Sequence, residues 1–84
     1  MKKVYFNFYK SAKKGVSIVV QGSNEEKAKQ IAKEFKVEHE KSQEDNARNF
    51  AIFLSNRKDI EARDIKPVGK AWQVEAKIED DETK

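Results

Sequence analysis

Few side chains in this chain can do chemistry: one histidine, no cysteine, three glycines and a scatter of carboxylates among lysines. His39 stands between Glu38 and Glu40, a combination that suits proton transfer or one corner of a metal site. A divalent-metal site needs three or four converging ligands, and there is no second histidine and no thiolate to complete one. His39 therefore reads as an exposed side chain on a polar segment, and no metal or cofactor is expected. Gly15, Gly22 and Gly69 fall in no phosphate-cradling pattern. Gly22-Ser23-Asn24 precedes a helix start, where N–H groups can meet an anion, but it reads first as a strand-to-helix turn. Paired catalytic carboxylates need environments that split their pKa values, and a domain this small has little room for such a cleft. The expectation is a protein that is not an enzyme.

The residues that remain are aromatic and basic. Lys3, Tyr5 and Tyr9 alternate along one segment, and Lys10, Lys13 and Lys14 follow it. The first 22 residues hold five lysines and no acid, whereas the rest of the chain carries 13 bases and 15 acids. Aromatic rings interleaved with ammonium groups suit single-stranded nucleic acid, because rings stack on bases and lysines meet phosphates. The same residues suit a protein partner, since tyrosine is enriched at interface hot spots and an uncovered hairpin edge can accept a strand. A third reading leaves them as ordinary sheet surface, because tyrosine is favoured in strands and lysine protects strand edges. The expected partner is thus a nucleic acid, held through Lys3, Tyr5, Tyr9, Lys10, Lys13 and Lys14. The alternative is a protein bound by the same face or by a free strand edge, as in an adaptor or an inhibitor of the kind phages encode.

These residues need elements to position them. Val4, Phe6 and Phe8 alternate with Tyr5, Asn7 and Tyr9. Val16, Ile18 and Val20 alternate with Ser17, Val19 and Gln21. Such alternation puts one set on each face of a β-hairpin over residues 3–21, with the Gly15 loop between the strands. Residues 24–36 read as a helix. Ser23 and Glu26 form a capping box, and Ala28, Ile31, Ala32 and Phe35 make an apolar stripe that should cover the Val4/Phe6/Phe8 face. Residues 37–49 are ambiguous. Phe50-Ala51-Ile52-Phe53-Leu54 reads as a buried strand, or else as the end of a second helix capped at Ser42, with Ala47, Phe50, Ala51 and Leu54 on one face. The strand is preferred because the run is five residues long between Asn49 and Asn56.

Residues 60–66 read as a weak strand or a helical turn, and Lys66-Pro67-Val68-Gly69 as a type I turn. Trp72, Val74, Ala76 and Ile78 then alternate as a half-buried strand. The acidic run from Glu79 to Glu82 belongs to a frayed tail that can solubilise the chain or lie on the hairpin lysines.

The expected fold is α+β: an N-terminal β-hairpin, then an amphipathic helix packed on a mainly antiparallel sheet of about four strands. Residues 1–78 form one domain and 79–84 the tail. Apolar residues are 37% and charged residues 39% of the chain, so the core must be thin and rest on its aromatics. Without cysteine there are no disulfides. No apolar run suits a signal peptide or a membrane span, so the expected location is the cytoplasm, with no membrane partner.

Overall fold

In the computed structural model, which describes residues 2–79, the alternating segments pair as a hairpin of β1 (Lys2–Ser11) and β2 (Gly15–Gly22). Gly15 closes the tip loop at φ +74°, a left-handed conformation that glycine adopts without penalty. Helix α1 (Glu25–Glu34) follows, then α2 (Gln43–Ser55), then a second hairpin of β3 (Ile60–Val68) and β4 (Ala71–Ile78). The four strands form one antiparallel sheet in the order β2-β1-β4-β3. The fold is α+β, as the patterning predicts.

Both helices lie on the same face of the sheet. Val4, Phe6, Phe8, Val74, Ala76 and Ile78 are buried against Ala28 and Ile31 of α1 and Ala47, Phe50 and Leu54 of α2. Phe50 is the hub of this core. Its ring centroid lies 4.7 Å from Phe6, 5.1 Å from Phe35, 5.5 Å from Phe8 and 5.7 Å from Phe53. Tilted, edge-to-face and stacked pairs at these distances add to simple area burial.

Three expectations change. Residues 50–54 are helical, not a strand. Ser42 Oγ accepts from Asp45 N–H at 3.0 Å and caps α2, and Phe50 and Leu54 then fall on one buried face. Of the two readings of residues 60–66, the strand is the one that holds, as part of β3. The turn after it lies two residues later than Pro67 suggests. Pro67 sits inside β3 opposite Trp72, and the chain reverses at Gly69-Lys70, with Gly69 at φ +61°. Glycine at the first of two central positions is the type II′ hairpin pattern. Finally, the Ser23/Glu26 capping box does not form. Ser23 N–H donates to Lys3 O, continuing the β-ladder, and Asn24 becomes the N-cap in a left-handed conformation without a side-chain capping bond to the helix. Of the acidic tail, only Glu79 is described, donating its N–H to Asp59 O at 2.8 Å; residues 80–84 lie outside the described residues.

Candidate functional site

With both helices on one side, the other face of the sheet is uncovered. Tyr5 is half-buried there and Tyr9 is 42% exposed, while Asn7 between them is only 6% exposed. The Asn7 amide is engaged at both ends. Gln73 Nε2 donates to its Oδ1 at 3.0 Å, and its Nδ2 donates to Val19 O at 3.4 Å. Acids share this face. Glu75 lies opposite Tyr5 in the register, Asp64 lies opposite Glu75, and Lys3 pairs with Glu75 at 3.4 Å. The uncovered face is therefore charge-mixed, not basic.

The structure disperses the basic candidates. Lys3 stands on the open face with Glu75. Lys10 reaches away from it and donates to Lys41 O at 3.0 Å. Lys13 and Lys14 occupy the exposed tip loop, where Lys14 N–H donates to Ser11 Oγ. The six residues do not converge on one point. Tyr5 and Tyr9 share a face, and the lysines line its rim and the hairpin tip.

A second surface lies at the free edge of β2. Backbone groups in an antiparallel strand point alternately to the two sides. Ser23 N–H bonds to β1, whereas Val16 N–H points away and donates to His39 Nδ1 at 3.0 Å. Odd-numbered residues of β2 thus face β1, and Val16, Ile18 and Val20 present their backbone groups outward. His39 takes the first outward N–H. Those of Ile18 and Val20 have no strand beside them. No residue of β2 is charged.

Below this edge lies a groove of about 520 Å³, floored by the half-buried side chains of Ile18 and Val20 and walled by Ala32, Phe35 and Val37. Lys29 and Lys33 of α1 line its upper side, and no acid lines it.

Sequence reasoning missed what holds one end of this edge. Asn46 is buried on α2, and its amide clamps the backbone of Glu38. Glu38 N–H donates to Asn46 Oδ1 at 2.8 Å, and Asn46 Nδ2 donates to Glu38 O at 3.0 Å and Ser42 O at 2.9 Å. The clamp fixes the segment that delivers His39 to Val16. As an acceptor, Nδ1 is unprotonated, so neutral His39 carries its proton on Nε2. A Cβ at Gly15 would run into the His39 ring, so glycine is required there for space as well as for its φ. The only hint in the sequence was an Asn four residues after Ser42.

Among the described residues, no three His, Cys, Asp or Glu side chains converge as a metal site, and no helix is long and apolar enough to cross a membrane. The Ser23 N–H considered for anion binding is used by Lys3 O. No protein-family model matches this sequence, and no curated protein or solved structure matches it either.

Proposed function

We propose that this protein is a cytoplasmic, non-catalytic binding module that docks a protein partner along the free edge of β2. The observation that carries the reading is an uncharged eight-residue edge strand with outward backbone groups, lying beside an apolar groove. Proteins usually blunt such edges, because a row of unpaired N–H and C=O groups is a template for another strand. An added strand gains affinity from main-chain hydrogen bonds and specificity from alternate side chains entering pockets. The groove supplies those pockets, and its volume falls within the range of ordinary ligand sites, about 300–1,000 Å³.

Peptides selected from a random library test the reading. They should slow hydrogen exchange at the Ile18 and Val20 amides and lose binding to Val19→Lys. Val19 is 49% exposed on the opposite face, so a lysine there charges the edge without filling the groove. Selected peptides that map instead to the Tyr5/Tyr9 face or to β3 count against the proposal.

One observation favours nucleic acid as a second reading: Tyr5 and Tyr9 share an uncovered face near the lysine-bearing tip. On that reading, oligothymidylate binding weakens steeply with salt and drops when Lys10, Lys13 and Lys14 are all changed to Ala. Glu75 and Asp64 on the same face weigh against it. Unchanged affinity in the triple variant removes it.

A further inference from the structure

The length of the open edge depends on a single side chain. His39 Nδ1 accepts from the Val16 N–H at 3.0 Å, and its ring lies over Gly15, where an added Cβ would overlap it. The bond needs a bare lone pair on Nδ1. A protonated imidazole carries N–H groups on both nitrogens, so Nδ1–H would meet the Val16 N–H donor against donor. β1 lies on the other side of β2 and offers that N–H no alternative.

The ring is free to leave. His39 is exposed, so a charged ring has water to turn into. The backbone that carries it is fixed independently. Asn46 holds both the N–H and the carbonyl of Glu38, Lys41 N–H donates to Glu38 O at 3.0 Å, and Lys10 Nζ donates to Lys41 O at 3.0 Å. Release therefore moves a side chain and leaves the segment in place.

The charges on the surrounding elements do not pin a protonated ring. Lys10 of β1, Lys13 and Lys14 of the tip loop, Lys33 of α1, and Lys36 and Lys41 beside His39 are positive, and β2 is uncharged. The acids are Glu34 of α1, Glu38 and Glu40 beside His39, and Glu44 and Asp45 of α2. Glu34 pairs with Arg57, Glu38 with Lys41 and Glu44 with Arg48, at 2.7, 3.0 and 2.7 Å. Among the described residues, no carboxylate is bonded to the ring.

Resting on the edge-docking reading above, we propose that His39 is a proton-released clasp that sets how far the open edge of β2 extends. At neutral pH the unprotonated ring covers the Val16 end, and a partner strand bonds at Ile18 and Val20. In mild acid the ring takes up a proton, lets go of Val16 and turns into solvent, and a partner strand bonds at Val16 as well. Histidine is the side chain whose ordinary titration falls between pH 5 and 8, and the chain has only this one. The closed clasp binds one proton fewer than the open one, so a strand that takes Val16 binds more tightly as pH falls.

The test uses 15N-labelled protein and a seven-residue peptide of alternating valine and serine, blocked at both ends so that it carries no titratable group. In the free protein, the protection factor of the Val16 amide should fall about fivefold or more between about pH 7.5 and about pH 5.5. The fall should track the His39 ring resonances and leave Ser17, Val19 and Gln21 unchanged. The peptide should protect Ile18 and Val20 at both pH values, protect Val16 only at the lower one, and bind about threefold or more tightly there. His39→Asn keeps an acceptor, Oδ1, close to the position of Nδ1 without titrating, so Val16 should stay protected throughout. His39→Ala should leave Val16 open throughout. The position is exposed, and circular dichroism verifies that both variants fold.

Val16 protection that ignores the His39 titration, or that is lost together with Ser17, Val19 and Gln21, overturns the clasp and leaves the edge reading standing. A peptide that protects Ile18 and Val20 but never Val16 also overturns the clasp alone. A peptide that protects none of the three amides at either pH overturns the edge reading, even where Val16 follows His39.

Discussion

The two edges of the sheet are built in opposite ways. β3 carries Glu61, Arg63, Asp64 and Lys66, its register is broken by a bulge between Ala62 and Asp64, and Pro67 removes a backbone donor. Each is a known means of stopping a strand from pairing with a stranger. β2 has none of them. The surfaces beside the edges differ in the same sense. The groove near β3 has about 510 Å³ but is lined by Arg57, Lys58 and Glu61, whereas that beside β2 is mainly apolar. The edges are also anchored differently. The start of β3 is tied down by ions: Arg57 pairs with Asp59 at 3.1 Å and Glu34 at 2.7 Å, and Lys27 adds to Asp59 at 3.5 Å. One end of β2 is held by the hydrogen bond to His39. One edge is thus protected by three devices and the other by none, the asymmetry on which the proposed docking of a partner strand rests.

The comparison can be broken or sharpened by substitution. The largest expected effect is on what both edges share. Phe50→Ala should cost about 3–5 kcal/mol and release both edges together, seen as one cooperative loss in urea with either edge as the probe. If β3 melts well before β2, the shared core does not hold them as one unit. Asn46→Ala should cost about 1–3 kcal/mol, because it strips partners from the Glu38 backbone and the Ser42 carbonyl. It should also speed exchange at the Val16 amide, by loosening the segment that carries His39, and leave β3 amides unaffected.

Val19→Lys gives β2 the protection that β3 already has. It should weaken peptide binding about tenfold or more while changing stability by less than about 0.5 kcal/mol, as read by titration and thermal melts. The smallest effect is Asp59→Asn, under about 1 kcal/mol, because the group is about a quarter exposed and its ion pairs are screened. Its hydrogen bond to Arg57 holds the Asp59 carboxyl below its ordinary value. That contribution is complete above the unfolded-state pKa near 3.8 and is lost as pH falls through the lower folded value. Wild type and Asp59→Asn should therefore converge in stability in strong acid and differ at neutral pH.

Much of the fold was legible because strands buried on one face write a period of two into the chain. Val4, Phe6 and Phe8 announced β1, and Trp72, Val74, Ala76 and Ile78 announced β4. The same cue misled at 50–54. Ile52 is 62% exposed on the outside of α2, so an apolar residue on the wet face completed a run that looked like a buried strand. Pro67 drew the expected turn forward, although proline fits an edge strand whose outward N–H has no use. For the site, the alternation correctly placed Tyr5 and Tyr9 on the face opposite the Phe6 and Phe8 core. It could not show that β4 inserts beside β1 and leaves β2 at the rim, nor that His39 comes back to Val16. Strand order and contacts across more than 20 residues of chain leave no periodic trace.

Amide hydrogen exchange at β2 tests the central claim most directly. In the free monomer, Ser17, Val19 and Gln21 should be protected by β1 and Val16 by His39, while Ile18 and Val20 exchange quickly. A peptide that docks on this edge should slow Ile18 and Val20 alone. Slow exchange at those two amides in the free monomer, or no change on binding of a peptide shown to bind, would contradict the claim that β2 is an open edge kept for a partner strand.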